Sequence, residues 1–276
     1  MLNDITFGQY FVANSLIHRL DPRCKLIFLV YLIVLVFLSA NVVSLAIIAL
    51  LTLFVMLLSK IPVRLYLKSI KVVIPIIIFT AILNMFYASG GDAAPLASFW
   101  LFTFYASGLI RAGFMAVRVL LLILLSSVLT YTTTPNDLTD AIERVLMPLK
   151  FIGLGRAIHT MSMMMTIALR FIPTLIEETN KIMNAQKARG ADLDSGGIIK
   201  KVKALLPILI PLLISSVRRA YELAEAMECR CYNGGKGRVR MKQLHMKARD
   251  YLSFFVITAC LGGIIASNIF VKIGVV

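Results

Sequence analysis

The sequence predicts an all-α polytopic membrane protein with about five transmembrane helices and a cytosolic or in-plane module of three more. Three observations lead there. Of 276 residues, 59% are hydrophobic, and the mean hydropathy is +0.86, well outside the range of soluble globular domains. The apolar residues fall in blocks of about 20, the length a helix needs to cross roughly 30 Å of hydrocarbon. The charge is uneven: of 29 Lys and Arg residues, 19 lie between Asn136 and Asp250 and seven in the first 71 residues, which is the cytoplasmic bias of a membrane protein. A net charge of +15 on a soluble chain would suggest nucleic acid. Here no recognition motif or aromatic-interleaved patch accompanies it, so a nucleic-acid partner is rejected.

Four segments follow. Residues 1–25 form a polar cytosolic lead with no cleavable signal. Asp21 is the N-cap and Pro22 the first residue of the helix that follows. Residues 26–131 hold transmembrane helices one to four: Leu26–Leu38, Val42–Leu58, Val72–Tyr87 and Leu109–Tyr131. The first is short and is expected to recruit Lys25 by snorkelling. It joins the second through Ser39-Ala40-Asn41. Lys60, Arg64, Lys68 and Lys71 form a basic loop, Pro75 a kink, and Ser89-Gly90-Gly91-Asp92 opens a loop without Lys or Arg before Arg111. The basic lead and 59–71 loop place the N-terminus in the cytosol. The last span, within 251–276, covers Tyr251–Val271 and leaves the C-terminus outside.

Residues 132–250 make up the module. Thr134-Pro135-Asn136-Asp137 starts a helix, with Thr as N-cap, Pro at N1 and an acidic N3 residue, and Pro148 stops it. Ile158–Ile176 and Ala204–Val217 resemble spans, yet crossing would put Lys181, Lys187, Arg189, Lys200, Lys201 and Lys203 outside. The second block has 14 residues with Pro207 and Pro211, and the first carries Arg170 at depth. Both are therefore read as helices lying along the membrane. Gly190 and Asp192–Gly197 separate them, Asn233-Gly234-Gly235 ends the second, and the basic stretch Lys236–Lys247 leads to the last span.

The five spans carry no Asp or Glu, so no intramembrane carboxylate can relay protons or sodium. Arg111 reads as an interface anchor and Arg118 as an interhelical hydrogen-bond donor, a direct substrate role being the other reading. No phosphate loop, nucleophile motif or metal cluster occurs. His18, His159 and His245 are scattered, without an acidic partner at ligand spacing. Cys24, Cys229, Cys231 and Cys260 form no framework and read as small reduced packing residues. The chain is thus expected to be no enzyme, with no catalytic residue, metal or cofactor of its own.

Two long helices end on related signals: Ala188-Arg189-Gly190 and Cys229-Arg230-Cys231, with the arginines 41 residues apart. A cation and a Gly at a helix C-terminus can be simple capping. The second copy lacks the Gly, so capping is not expected to explain what the copies share. An arginine fork meets a carboxylate bidentately, and two forks suit acidic grooves on two partners. Met161, Met163, Met164 and Met165 crowd the start of the first long helix. Such surfaces re-pack to accept different partners, although ordinary lipid or core packing accounts for any one of them equally well.

Nearly the whole chain resembles the transmembrane T component (EcfT/CbiQ type) of energy-coupling factor transporters. The likeness rests on Leu16-Ile17-His18-Arg19-Leu20-Asp21-Pro22-Arg23-Cys24-Lys25, Thr134-Pro135-Asn136-Asp137-Leu138, Ile167–Leu175, Ala185–Ala191 and Ala226–Tyr232. It implies a non-catalytic scaffold in the bacterial cell membrane, joining two cytosolic ABC ATPases, which bind ATP-Mg, to a small S subunit that captures a vitamin or other micronutrient. Arg189 and Arg230 match the central arginines of the family's docking motifs, Cys229 and Cys231 standing where Ala and often Gly are more usual. A dedicated T subunit of a cobalt or nickel importer is the near alternative. A self-contained secondary transporter would need coupling-ion carboxylates inside the spans, and a membrane enzyme a nucleophile or metal cluster; both are missing.

Overall fold

The computed structural model describes residues 10–87, 97–99, 102–104, 106–191, 197–233 and 246–270. Among the described residues the regular structure is helical apart from two three-residue strands, and the chain divides into two compact units. The Ser89–Asp92 loop, the turn at 192–196, Gly234, Gly235 and the 236–245 part of the basic stretch, with His245, lie outside the described residues.

One unit comprises Gln9–Ala141 with Leu244–Val276. It contains α1 (Pro22–Leu38), α2 (Val42–Ser59), α3 (Val63–Tyr87), α4 (Ala106–Thr132) and α8 (Ala248–Phe270), with β1 (Ala97–Phe99) paired antiparallel to β2 (Phe102–Phe104). Helix α1 starts as expected: Pro22 occupies its first turn, and the Asp21 carboxylate accepts from the Arg23 N–H at 3.0 Å. The core joins Leu32, Leu35 and Val36 of α1 to Leu45 and Ile48 of α2, Leu121 and Leu125 of α4, and Ile264 of α8. A second cluster sets Tyr66 edge-on to Tyr131, ring centroids 6.0 Å apart. Their hydroxyls pair with Ser59 at 2.9 Å and Ser69 at 2.8 Å, so these buried phenols are satisfied. The outward faces stay apolar, with Val30, Phe37, Leu50, Leu57 and Phe79 exposed, as in a helix bundle whose solvent is lipid.

Three sequence expectations in this unit change or sharpen. The basic loop at 60–71 is mostly helix: α3 begins at Val63 and carries Arg64, Lys68 and Lys71 exposed in its first turns. Their i, i+4, i+7 spacing puts them on one face, leaving Tyr66 and Ile70 on the other. Lys25 does not snorkel. Its ammonium is buried and donates to the carbonyls of Thr132 at 2.9 Å and His18 at 3.4 Å, because those carbonyls at the end of α4 and ahead of α1 lack helical donors. Arg118 is the interhelical donor its position suggested, with Nη2 2.6 Å from the Ser39 carbonyl between α1 and α2.

The other unit comprises Met1–Gly8 with Ile142–Gln243 and is described over residues 142–191 and 197–233. It holds the end of α5 (Pro135–Leu146), a 3₁₀ segment (Met147–Ile152), α6 (Gly155–Ala188) and α7 (Ile198–Cys229). The three expected module helices are all present. Thr134 caps α5, accepting from the Asp137 N–H at 3.2 Å and donating to its carboxylate at 2.8 Å. Helix α6 runs 34 residues through Pro173, about 51 Å at 1.5 Å per residue.

Among the described residues, five helices are long and apolar enough to cross a membrane: α2, α3, α4, α7 and α8. The number matches the sequence expectation and the membership does not. Helix α1, at 17 residues, falls just short, and α7 qualifies because helix continues on both sides of its 14-residue apolar block.

Candidate functional site

The candidate site is the pair of arginine tips, and the backbone builds both in the same way. At the first, Arg189 is the C-cap, with φ −84° and ψ 7°. Gly190 then turns left-handed at φ +84°. The Gly190 N–H donates to the Lys187 carbonyl and the Ala191 N–H to the Gln186 carbonyl, each at 3.0 Å. At the second, Arg230 is the C-cap, with φ −92° and ψ 16°, and Cys231 turns left-handed at φ +55°. The Cys231 N–H donates to Glu228 at 2.8 Å and the Tyr232 N–H to Met227 at 3.0 Å. Each is a complete Schellman motif, the paired 5→2 and 6→1 bonds that satisfy carbonyls a helix end would otherwise leave open.

This overturns one expectation. Capping is what the two copies share, with Cys231 standing where a glycine would be easiest. A Schellman cap does not require arginine at the C-cap, though, so the guanidiniums remain unaccounted for. Ala188, Arg189, Gly190, Cys229, Arg230 and Cys231 are all exposed. Neither arginine has an acidic partner among the described residues. Cys229 and Cys231 are exposed free thiols, so the packing role expected of them is not met among the described residues of this unit.

The two tips are held by a pairing of α6 with α7 that the sequence did not reveal. Glu178 of α6 accepts from the Ser215 hydroxyl and pairs with Arg219 of α7 at 2.9 Å. Eight residues further along α6, Gln186 Nε2 donates to the Pro207 carbonyl at 3.5 Å, eight residues back along α7 from Ser215. That carbonyl is open because Pro211, four residues on, has no N–H to give it. The pairing is therefore antiparallel. Arg189 lies just past the Gln186 level, while Arg230 lies 23 residues along α7 from Pro207, roughly 35 Å at 1.5 Å per residue. The tips sit at opposite ends of the pair, a spacing suited to two acceptors rather than one.

A further unanticipated link joins α5 to α6. Glu143 meets His159 Nδ1 at 3.0 Å through one carboxylate oxygen and accepts from Ser162 at 2.8 Å through the other. His159 thus has an acidic partner after all, 16 residues upstream on another helix. Among the described residues, no group of three or more metal-ligating side chains is present. Near the start of α6, Met161, Met164 and Met165 are 68%, 56% and 48% exposed, at the i, i+3, i+4 spacing of one helix face. Met163 is half-buried and apart from them.

Residues 13–241 match the family model described as cobalt transport protein, CbiQ. The chain is 49% identical over 253 residues to the energy-coupling factor transporter transmembrane protein EcfT of Clostridium kluyveri, covering 92% of this chain and 93% of that one. The EcfT proteins of Ruminiclostridium cellulolyticum and Bacillus subtilis are 47% and 42% identical, over 91% and 95% of this chain and 92% and 98% of theirs.

Proposed function

Because the chain belongs to the EcfT/CbiQ family of transmembrane components of energy-coupling factor transporters, we propose that it transmits ATP-driven movement from two cytosolic ABC ATPases to a substrate-capturing S subunit. The chain itself is non-catalytic, and ATP-Mg binds to the partners. The observation that carries this reading is the duplicated tip: two exposed arginines with no acidic partner among the described residues, on matching caps at opposite ends of one antiparallel pair. Each guanidinium docks in an acidic groove of one ATPase, through Ala188, Arg189 and Gly190 at one tip and Cys229, Arg230 and Cys231 at the other. The exposed Met161, Met164 and Met165 face supports an S-subunit contact, because thioether side chains adapt to more than one partner.

The same reading keeps α6 and α7 along the cytosolic face of the membrane, with the N-terminus inside and the C-terminus outside. Helix α7 is long enough to span, but Lys203, Arg218 and Arg219 lie along it, and spanning would separate Arg219 from Glu178. The native thiols at 229 and 231 give a direct check. A membrane-impermeant maleimide added to intact cells leaves both unlabelled; labelling from outside would overturn this orientation.

Docking is tested by charge reversal. The double variant Arg189→Glu, Arg230→Glu purifies without the ATPases and supports no uptake, and full transport by that variant would refute the assigned role. A dedicated cobalt or nickel importer subunit is the second reading, which the family's description favours. The identity to relatives named for the energy-coupling factor favours a module serving vitamin or micronutrient uptake. The smallest membrane subunit that co-purifies with the intact complex decides between them.

A further inference from the structure

We propose that the cavity enclosed by α1, α2, α4 and α8 is a binding site for one acyl chain of an anionic phospholipid, whose phosphate is met by Arg249. The cavity measures about 410 Å³ and is walled by apolar side chains that include Phe28, Leu32, Phe54, Leu125 and Val256. Its polar lining is confined to a few groups, among them Lys25, Thr132 and Arg249. An apolar slot with cations at one end is the shape of a lipid: tail inside, phosphate at the mouth.

One cation at the mouth is open to an anion. Arg249 is exposed and has no acidic partner among the described residues. Three carboxylates stand near Lys25: Asp137, Asp21 and Asp250. Asp137 accepts from the Thr134 hydroxyl at 2.8 Å, Asp21 from the Arg23 N–H at 3.0 Å, and Asp250 from the Asp21 and Lys247 N–H groups at 3.0 and 2.7 Å. Lys25, just ahead of the apolar run that begins at Leu26, spends two of its three protons on Thr132 and His18 and keeps one.

Size selects the occupant. The lining runs from Arg249 to Ile257 on α8, about 12 Å at 1.5 Å per residue. That is within the roughly 15 Å depth of one leaflet, half of a ~30 Å core.

The test uses the full chain, purified in mild detergent, stripped of lipid and titrated with phosphatidylglycerol or phosphatidylcholine under native mass spectrometry. Wild type retains a single phosphatidylglycerol, about tenfold more tightly than phosphatidylcholine, as one charge-assisted contact implies. Arg249→Gln removes the preference while leaving weak binding of both lipids. Val256→Phe, which fills the slot, lowers retention of both. Equal retention of the two lipids by wild type, or an unchanged preference in Arg249→Gln, overturns the proposal. So does a photo-crosslinker at position 256 that captures a protein subunit of the assembled transporter instead of lipid.

Discussion

The Arg189 and Arg230 tips carry the same backbone bonds on different residues. The first turns left-handed at Gly190, which has no side chain to obstruct it. The second turns at Cys231, where a Cβ crowds the preceding carbonyl at a cost of about 1–2 kcal/mol. That the second tip keeps its geometry against this cost separates two demands. The cap sets the direction in which the chain leaves the helix, and the arginine sets what is offered to a partner.

Reversing the charges one at a time sharpens the comparison most. If each arginine docks its own ATPase, Arg189→Glu and Arg230→Glu each weaken copurification of the ATPase pair by about 100-fold, the effect of about 3 kcal/mol expected when one partner of a desolvated charge pair is lost. The double variant loses the pair altogether. A single reversal without effect would mean that its tip is only a cap.

The next effect concerns the link between the tips. Glu178→Ala leaves both caps intact while unpairing Ser215 and Arg219. Charge-assisted hydrogen bonds of this kind are worth about 1.5–3 kcal/mol, taken at the lower end because Arg219 and Glu178 are 34% and 21% exposed. Spin labels near positions 189 and 230 then report a broadened distance distribution with unchanged helix content. A distribution as narrow as that of wild type would place the rigidity of the pair elsewhere.

Much of this was legible in the sequence, because much of it is local. Asp21-Pro22 and Thr134-Pro135-Asn136-Asp137 set helix starts with atoms a few residues apart, and both starts hold. The sequence offers two stops for α7, Cys229-Arg230-Cys231 and Asn233-Gly234-Gly235, and the helix ends at the first, although no propensity marks Cys231 as a left-handed residue. The start of α3 was masked by its own charges: Arg64, Lys68 and Lys71 resemble a loop until the i, i+4, i+7 face is drawn. What sequence could not supply were pairings across helices. Glu178 with Arg219, Gln186 with the Pro207 carbonyl and Glu143 with His159 each join residues at least 16 apart. The second of these had a partial signal, because a proline four residues ahead always leaves a carbonyl in want of a donor.

Exchanging the left-handed residue breaks the comparison at a smaller scale. Gly190→Ala puts a Cβ where the first tip has none and lowers stability by about 1 kcal/mol, read as a drop in the midpoint of thermal unfolding. Cys231→Ala should be close to neutral, since a Cβ is already accommodated there. A loss at Cys231→Ala equal to that at Gly190→Ala would mean that the Cys231 thiol itself stabilises the second tip.

The smallest expected effect is the most discriminating. Cys231→Gly relieves the left-handed strain at the second tip, and the gain is reduced by the extra freedom glycine brings to the unfolded chain, leaving a net stabilisation of about 0.5 kcal/mol. Cys231 is exposed and its thiol is free, so no lost packing within this unit offsets the gain. If the variant is instead less stable, or is stable yet weaker in ATPase copurification with Arg230 unchanged, the cysteine side chain itself belongs to the docking surface. The second tip would then present a thiol beside its guanidinium, where the first presents only backbone.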